Sequence, residues 1–211
     1  MSEELQQIAV HLQELLAEAG LSPLAEGTAQ KFAEYLALFE RWNKKTNLSA
    51  VRDREGILRR HFVESIACAQ ALPEGIATLL DFGSGGGFPG IPVALCLPET
   101  SVTLAESQGK KAAFLHEAVR VLGINAKVHA QRAELLSERF DCVTLRAVDR
   151  MEKAVAAAAL LVTPGGFLAL LTTEQELPGL QAAAVGDFMW DQKFSLPGSD
   201  ARELVLGRRS V

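Results

Sequence analysis

Apolar positions recur at helical spacing through the first third of the chain. Leu5, Ile8, Leu12, Leu15, Leu16 and Ala19 form one stripe, and Gly20 ends it. A second helix is predicted over Pro23 to Lys45, with Phe32, Leu36, Phe39 and Trp42 on one face. It closes in the polar turn Trp42-Asn43-Lys44-Lys45-Thr46-Asn47-Leu48. A third helix is predicted over Asp53 to Leu72, with Ile57, Leu58, Phe62, Ile66 and Ala69 as its buried face. The same segment brings Arg52, Arg54, Arg59, Arg60 and His61 together. Nothing before residue 73 alternates with the period of a strand, so residues 1–72 are expected to form a helical extension packed on the rest of the chain.

Pro73-Glu74-Gly75 marks the join, and residues 73–211 read as an α/β domain. Strands are predicted at Thr78–Asp81, Ser101–Ala105, Lys127–Ala130, Asp141–Leu145 and Phe167–Leu171, the last entered through the turn Pro164-Gly165-Gly166. Helices are predicted at Pro92–Leu97, Lys110–Leu122 and Met151–Leu161. This alternation implies a mostly parallel sheet with helices on both faces. Two late strand-like runs, Phe188–Leu196 and Glu203–Arg208, are split by the turn Pro197-Gly198-Ser199-Asp200. They predict a C-terminal antiparallel hairpin, for seven strands in all.

The first predicted strand runs into Asp81-Phe82-Gly83-Ser84-Gly85-Gly86-Gly87-Phe88-Pro89-Gly90. A strand, a glycine turn and a helix start can hold a nucleotide-like ligand against backbone N–H groups. The dinucleotide pattern G-x-G-x-x-G fails at Phe88, where a ring would obstruct close helix–strand packing and disfavours a nicotinamide dehydrogenase. The pattern D-x-G-x-G-x-G is matched in full by Asp81, Gly83, Gly85 and Gly87. That spacing resembles enzymes that use S-adenosylmethionine (SAM), and it makes Asp81, Gly83, Gly85 and Phe88 candidate cofactor residues.

Composition narrows the partners. The 211 residues are 48% hydrophobic, enough for a sizeable core, and the net charge is -5. No overall basic field exists, so a nucleic-acid substrate would have to meet local clusters or be presented by a larger particle. Cys68, Cys96 and Cys142 are widely spaced and are expected to be reduced thiols. The polar N-terminus is no signal peptide, and the longest apolar run, Ala154 to Val162, is too short for a bilayer. A cytoplasmic protein with no membrane contact is expected.

Ligands in this fold lie across the carboxyl ends of the strands, so the strand ends hold the next candidates. Glu106 follows the second strand, 23 residues after Gly83, where a carboxylate can accept from the ribose hydroxyls of an adenosine. Ala133 and Glu134, after the third strand, are placed to meet the adenine edge with backbone groups, and read equally as an ordinary loop or helix start. Arg146 follows the fourth strand; a buried arginine there needs an anionic partner. That partner is a ligand carboxylate, an RNA phosphate, or a structural acid such as Asp149. Lys110, Lys111, Arg59 and Arg60 are candidate phosphate contacts, and equally candidate solvated surface. Lys44-Lys45, Arg120 and Arg208-Arg209 are open to the same two readings. His61 reads as structural. No metal-ligand cluster or nucleophilic triad stands out.

Several separated motifs together resemble the bacterial 16S rRNA guanine-N7 methyltransferases of the RsmG type, also called glucose-inhibited division protein B. They are Tyr35-Leu36 through Trp42-Asn43 to Asn47-Leu48-Ser49-Ala50, His61 to Ser65, Asp81 to Pro92, and Gly109-Lys110-Lys111 with Phe114-Leu115. Ala133-Glu134, Thr144 to Val148 and Gly165-Gly166 complete the set. The resemblance implies a Rossmann-like SAM-dependent methyltransferase fold and SAM contacts at Gly83, Phe88, Glu106, Ala133, Glu134 and Arg146. It also implies 16S rRNA or the 30S subunit as partner, and a monomer. Two departures stand out. Glu106 replaces the usual aspartate, and Leu171-Thr172-Thr173-Glu174 stands where relatives often carry lysine-glycine.

The implied chemistry needs no catalytic base, because guanine N7 offers a lone pair and has no proton to lose. In-line positioning then supplies roughly 7–11 kcal/mol. A donor on N7 would occupy that lone pair, and a cation about 6 Å from a ring becoming cationic would cost on the order of 3 kcal/mol. Arg146 is therefore expected to hold SAM or a phosphate and not the target N7. The sequence leaves two alternatives open: a SAM enzyme acting on a small molecule, and a non-catalytic RNA-binding assembly protein.

Overall fold

A computed structural model describes residues 2–198 and 201–211. Ser199 and Asp200 of the predicted tail turn lie outside the described residues. In chain order the elements are α1 (Glu3–Glu18), α2 (Glu26–Thr46), α3 (Arg54–Ile57), a π-helical segment Leu58–Val63, and α4 (Glu64–Ala71). Then come β1 (Thr78–Phe82), α5 (Gly90–Cys96), β2 (Ser101–Ala105), α6 (Gly109–Leu122), β3 (Ala126–His129), a 3₁₀ turn Ala133–Leu135 and β4 (Phe140–Arg146). The chain finishes with α7 (Met151–Leu160), β5 (Val162–Thr173), α8 (Leu177–Ala183), β6 (Phe188–Ser195) and β7 (Arg202–Arg209).

The seven strands lie in the order β3-β2-β1-β4-β5-β7-β6. β1 pairs parallel to both β2 and β4, so the strand order reverses beside it. β7 is antiparallel to β5 and β6. Helices cover both faces, which is why the strands read as apolar runs without alternation. Along β1, Leu79 enters the core shared with α2 and α4–α6, whereas Leu80 and Phe82 enter the core beneath α7.

The helical segment joins the first of these cores. Phe32, Tyr35, Phe39 and Phe62 are fully buried, and Tyr35 packs at a tilt against Phe88 with ring centroids 5.3 Å apart. Each such ring removes roughly 150–250 Å² from water, about 4–6 kcal/mol gross. α2 packs against α5 and α6. Trp42 Nε1 and Arg41 Nη2 donate to the two oxygens of Glu117 on α6, at 2.9 and 2.6 Å. Asn47, in left-handed conformation with φ 51°, ends α2.

Three expectations need correction. The helix predicted over Asp53–Leu72 is interrupted by the π-helical segment Leu58–Val63, which contains Arg60 and His61. Pro164-Gly165-Gly166 lies inside β5, at a register slip opposite Phe140 and Cys142. Between β5 and the hairpin stands α8, a helix absent from the sequence-based expectation; its proline sits in the first turn, where the missing N–H has no intrahelical partner anyway.

Candidate functional site

The carboxyl ends of β1, β2, β4 and β5 open into a cleft of about 1000 Å³. Its floor is the glycine turn. Gly87 has φ +89°, and a Cβ there would stand 2.5 Å from Ile91 Cδ1 and 2.8 Å from the Tyr35 hydroxyl. At Gly90 a Cβ would meet Asp81 Oδ2 at 2.6 Å. Tyr35 Oη donates to the Gly86 carbonyl at 2.6 Å. The turn is thus shaped from below by α2 as well as by its own glycines.

Asp81 is 1% exposed and faces this packing, not the cleft. Its Oδ2 accepts from Gly90 N–H at 3.1 Å and its Oδ1 from the Thr144 hydroxyl at 2.9 Å. Burial raises its carboxyl to about 6, against those hydrogen bonds. Asp81 does not line the cleft; it anchors the start of α5 and joins β1 to β4.

Gly83, Gly85, Phe88, Glu106, Ala133, Glu134 and Arg146 all line the cleft. Glu106 is fixed by two backbone donors, Gly85 N–H at 2.9 Å and Gln108 N–H at 2.7 Å. Its remaining lone pairs can accept from vicinal hydroxyls. Ala133 is buried in the 3₁₀ turn, and Glu134 lies 3.9 Å from Arg132.

At the other end, Arg146 Nη2 donates to Glu64 Oε2 at 2.9 Å and to the Arg60 carbonyl, and lies 3.0 Å from His61 Nδ1. Arg202 Nη1 donates to both Glu64 oxygens at 2.7 and 2.8 Å. The structural partner of Arg146 is therefore Glu64, not Asp149, which is exposed beside Arg150. Burial pushes the Glu64 carboxyl up and the Arg146 guanidinium down; the two arginines on Glu64 oppose the first shift. Two guanidiniums on one carboxylate leave this three-residue cluster with a net positive charge.

His61 joins them. Burial, then the charge of Arg146, lowers its ring to about 3. Nδ1 stands 3.0 Å from Arg146 Nη2 and 3.1 Å from the Arg60 carbonyl, which can only accept, and Nε2 stands 2.6 Å from Ser49 Oγ. The ring stacks on Phe88 with centroids 4.9 Å apart. The loop after β4 completes the wall. It holds Ala147 and Arg150 at φ 50° and 51°, a left-handed conformation that costs about 1–2 kcal/mol per residue.

The candidate basic residues separate. Lys111 lines the cleft and Lys110 does not. Arg59 lies off the cleft and is taken by Glu55 at 2.6 Å and Glu18 at 3.1 Å. Arg60 contributes its carbonyl to Arg146, and its exposed side chain lies off the cleft too. Four further basic residues line the cleft without having been singled out by sequence pattern: Arg132, Arg150, Lys153 and Arg202. Glu64 and Ser49 stood inside quoted motifs without an assigned role. Nothing in the tail pattern singled out Arg202. No group of three or more potential metal ligands occurs among the described residues, and no helix among them is long and apolar enough to cross a membrane.

Comparison with known proteins gives a consistent result. The family described as rRNA small subunit methyltransferase G (GidB) matches residues 28–192. Ribosomal RNA small subunit methyltransferase G of Stenotrophomonas maltophilia is 43% identical over 164 residues, 76% of this chain and 75% of its own length. The protein of that name from Xanthomonas oryzae pv. oryzae is 39% identical over 203 residues, 92% of this chain and 93% of its own. Among solved structures, a putative O-methyltransferase from Klebsiella pneumoniae superposes with a TM-score of 0.61 at 15% identity, covering 98% of this chain and 99% of that one. That likeness is one of fold.

Proposed function

Because the chain belongs to the rRNA small subunit methyltransferase G (GidB) family, we propose that it moves the methyl group of SAM to N7 of a guanine in small-subunit ribosomal RNA. The observation that carries the cofactor assignment is the pairing of the glycine turn with Glu106, whose carboxylate is oriented by Gly85 and Gln108 N–H groups. That donor set fits an adenosine: acceptor oxygens for ribose hydroxyls, and buried Ala133 with Glu134 for the base. Gly83, Gly85, Phe88 and Arg146 would border the methionine part. When bound, SAM supplies an electrophilic methyl group.

The chain's own residues then position and exclude. His61 stays neutral and stacks on Phe88, so it adds no positive charge where a ring is to become cationic. Arg146 is drawn toward Glu64, the Arg60 carbonyl and His61, which favours a positioning role and no contact with N7. Lys111, Arg132, Arg150 and Lys153 line the cleft, where they would meet RNA phosphates. In this reading residues 1–72 are a helical extension and residues 73–211 the methyltransferase domain. The substrate is 16S rRNA, free or within the 30S subunit, and the enzyme works as a cytoplasmic monomer.

Calorimetry with SAM and with NAD tests the cofactor. Binding of SAM alone is expected; binding of NAD alone would overturn the assignment. Labelled SAM incubated with small-subunit RNA, naked or assembled, is expected to label the RNA in at least one of the two forms.

A further inference from the structure

The cleft has two ends, and the residues that fit an adenosine occupy only one. Beyond Phe88 and Arg146 the wall is formed by the end of β5 and the start of α8. There Glu176 lines the cleft, held by the Thr172 and Thr173 hydroxyls, each donating to its Oε2 at 3.0 Å. Both of these bonds use one oxygen. Oε1 has no hydrogen-bond partner among the described residues. The Glu176 side chain is exposed, and the two threonines orient its carboxylate within the turn that starts α8 while Oε1 is left to solvent or a ligand.

The other acids of the cleft are committed elsewhere. Glu64 carries both Arg146 and Arg202. Glu106 carries two backbone N–H groups. Glu134 stands with Arg132 at the opposite end, and the Asp149 side chain is 95% exposed beside Arg150.

We propose that Glu176 reads the Watson–Crick edge of the target guanine. The proposal rests on the methyltransferase function proposed for this site. Guanine presents N1–H and N2–H₂ as adjacent donors, which match the two oxygens of a carboxylate. Adenine and cytosine place an acceptor on that edge, and uracil places a lone N–H between two carbonyls, so each meets the carboxylate less well. Bases whose edges are freed from pairing are recognised in this way. Holding guanine by this edge leaves N7, on the far side of the purine, open to the methyl donor. β1 and β5 stand two strand positions apart, roughly 10 Å by the usual spacing. That is the width of a purine with a hydrogen bond on one edge and a van der Waals contact on the other.

The carboxylate also acts during transfer. The N7 lone pair forms the new N–C bond, the sulfur–methyl bond breaks with its electron pair left on sulfur, and N1 keeps its proton. The purine becomes cationic as this happens, and a carboxylate on its edge stabilises that charge as it develops.

A bidentate base contact is worth about 5- to 150-fold in discrimination. The test uses 30S particles rebuilt with rRNA carrying guanosine or inosine at the mapped methylation site; inosine lacks only the N2 amino group. For the wild-type enzyme, inosine is expected to lower kcat/KM about 10-fold. Glu176→Gln is expected to lower kcat/KM on guanosine about 30-fold, to show an inosine penalty below about twofold, and to keep its SAM Kd within about twofold. Unchanged kcat/KM in Glu176→Gln, or an inosine penalty equal in both enzymes, would overturn the proposal. The second result is the one a purely structural Glu176 would give. The wild-type arm stands without any variant, since indifference to inosine overturns the proposal even if Glu176→Gln does not fold. A wild-type enzyme that methylates no rRNA sinks the function and this inference together. One that methylates normally beside an unaltered Glu176→Gln sinks only the inference.

Discussion

Two titrating groups close to the cleft pull stability in opposite directions with pH. Asp81, raised from 3.8 to about 6 by burial, favours the fold in its protonated form. That contribution is fully present below pH 3.8 and is lost as pH rises through about 6, roughly 3 kcal/mol in all. His61, lowered from 6.5 to about 3, favours the fold as a neutral ring. Its contribution is present above pH 6.5 and is lost as pH falls toward 3. Urea unfolding at pH 4, 5.5 and 7 separates the two. Relative to wild type, Asp81→Asn is expected to gain stability as pH rises across this range, and His61→Gln as pH falls. Parallel curves for a variant and the wild type would contradict the assignment of that group. Glu64→Ala removes the shared partner of two arginines and leaves Arg146 buried without its carboxylate. A loss of about 3–5 kcal/mol is expected in the same measurement. Glu64 had no assigned role in the sequence because Arg146 and Arg202 lie 82 and 138 positions away. The glycines and Glu106 were legible because their roles depend on local backbone geometry and on strand ends, both of which leave a spacing.

At the scale of elements, the glycine turn depends on a helix from earlier in the chain. α2 places the Tyr35 hydroxyl on the Gly86 carbonyl and the Phe39 ring under Gly86, where a Cβ would stand 2.8 Å from Phe39 Cε2. Tyr35→Phe keeps the ring and deletes one buried hydrogen bond, worth about 1 kcal/mol. SAM affinity is expected to fall about 3- to 10-fold by calorimetry, with the far-ultraviolet circular dichroism unchanged. Gly87→Ala meets both a φ of +89° and the Ile91 side chain, so SAM binding is expected to be lost altogether. The order of strands and helices was legible in the alternation of apolar runs. α8 was not, because Pro178 and Gly179 read as breakers while their place in the first turn makes them tolerable. The π-helical segment left no periodic signal either, since six residues of altered register do not disturb an apolar stripe that is buried throughout.

For the whole molecule, a net charge of -5 coexists with a cleft lined by Lys111, Arg132, Arg146, Arg150, Lys153 and Arg202. Local basic groups in an acidic protein favour an RNA held by shape as well as charge. Methylation of assembled particles is therefore expected to exceed that of a short isolated hairpin; equal rates on both would contradict this. The position of the transferred methyl group tests guanine-N7 methylation directly. Small-subunit particles lacking the modification are incubated with labelled SAM and the protein, and the RNA is treated with borohydride and aniline, which cleave at 7-methylguanosine. Label at one guanine is expected, with strand scission at that same nucleotide. Absence of label, or label at a nucleotide that resists scission, would contradict guanine-N7 methylation.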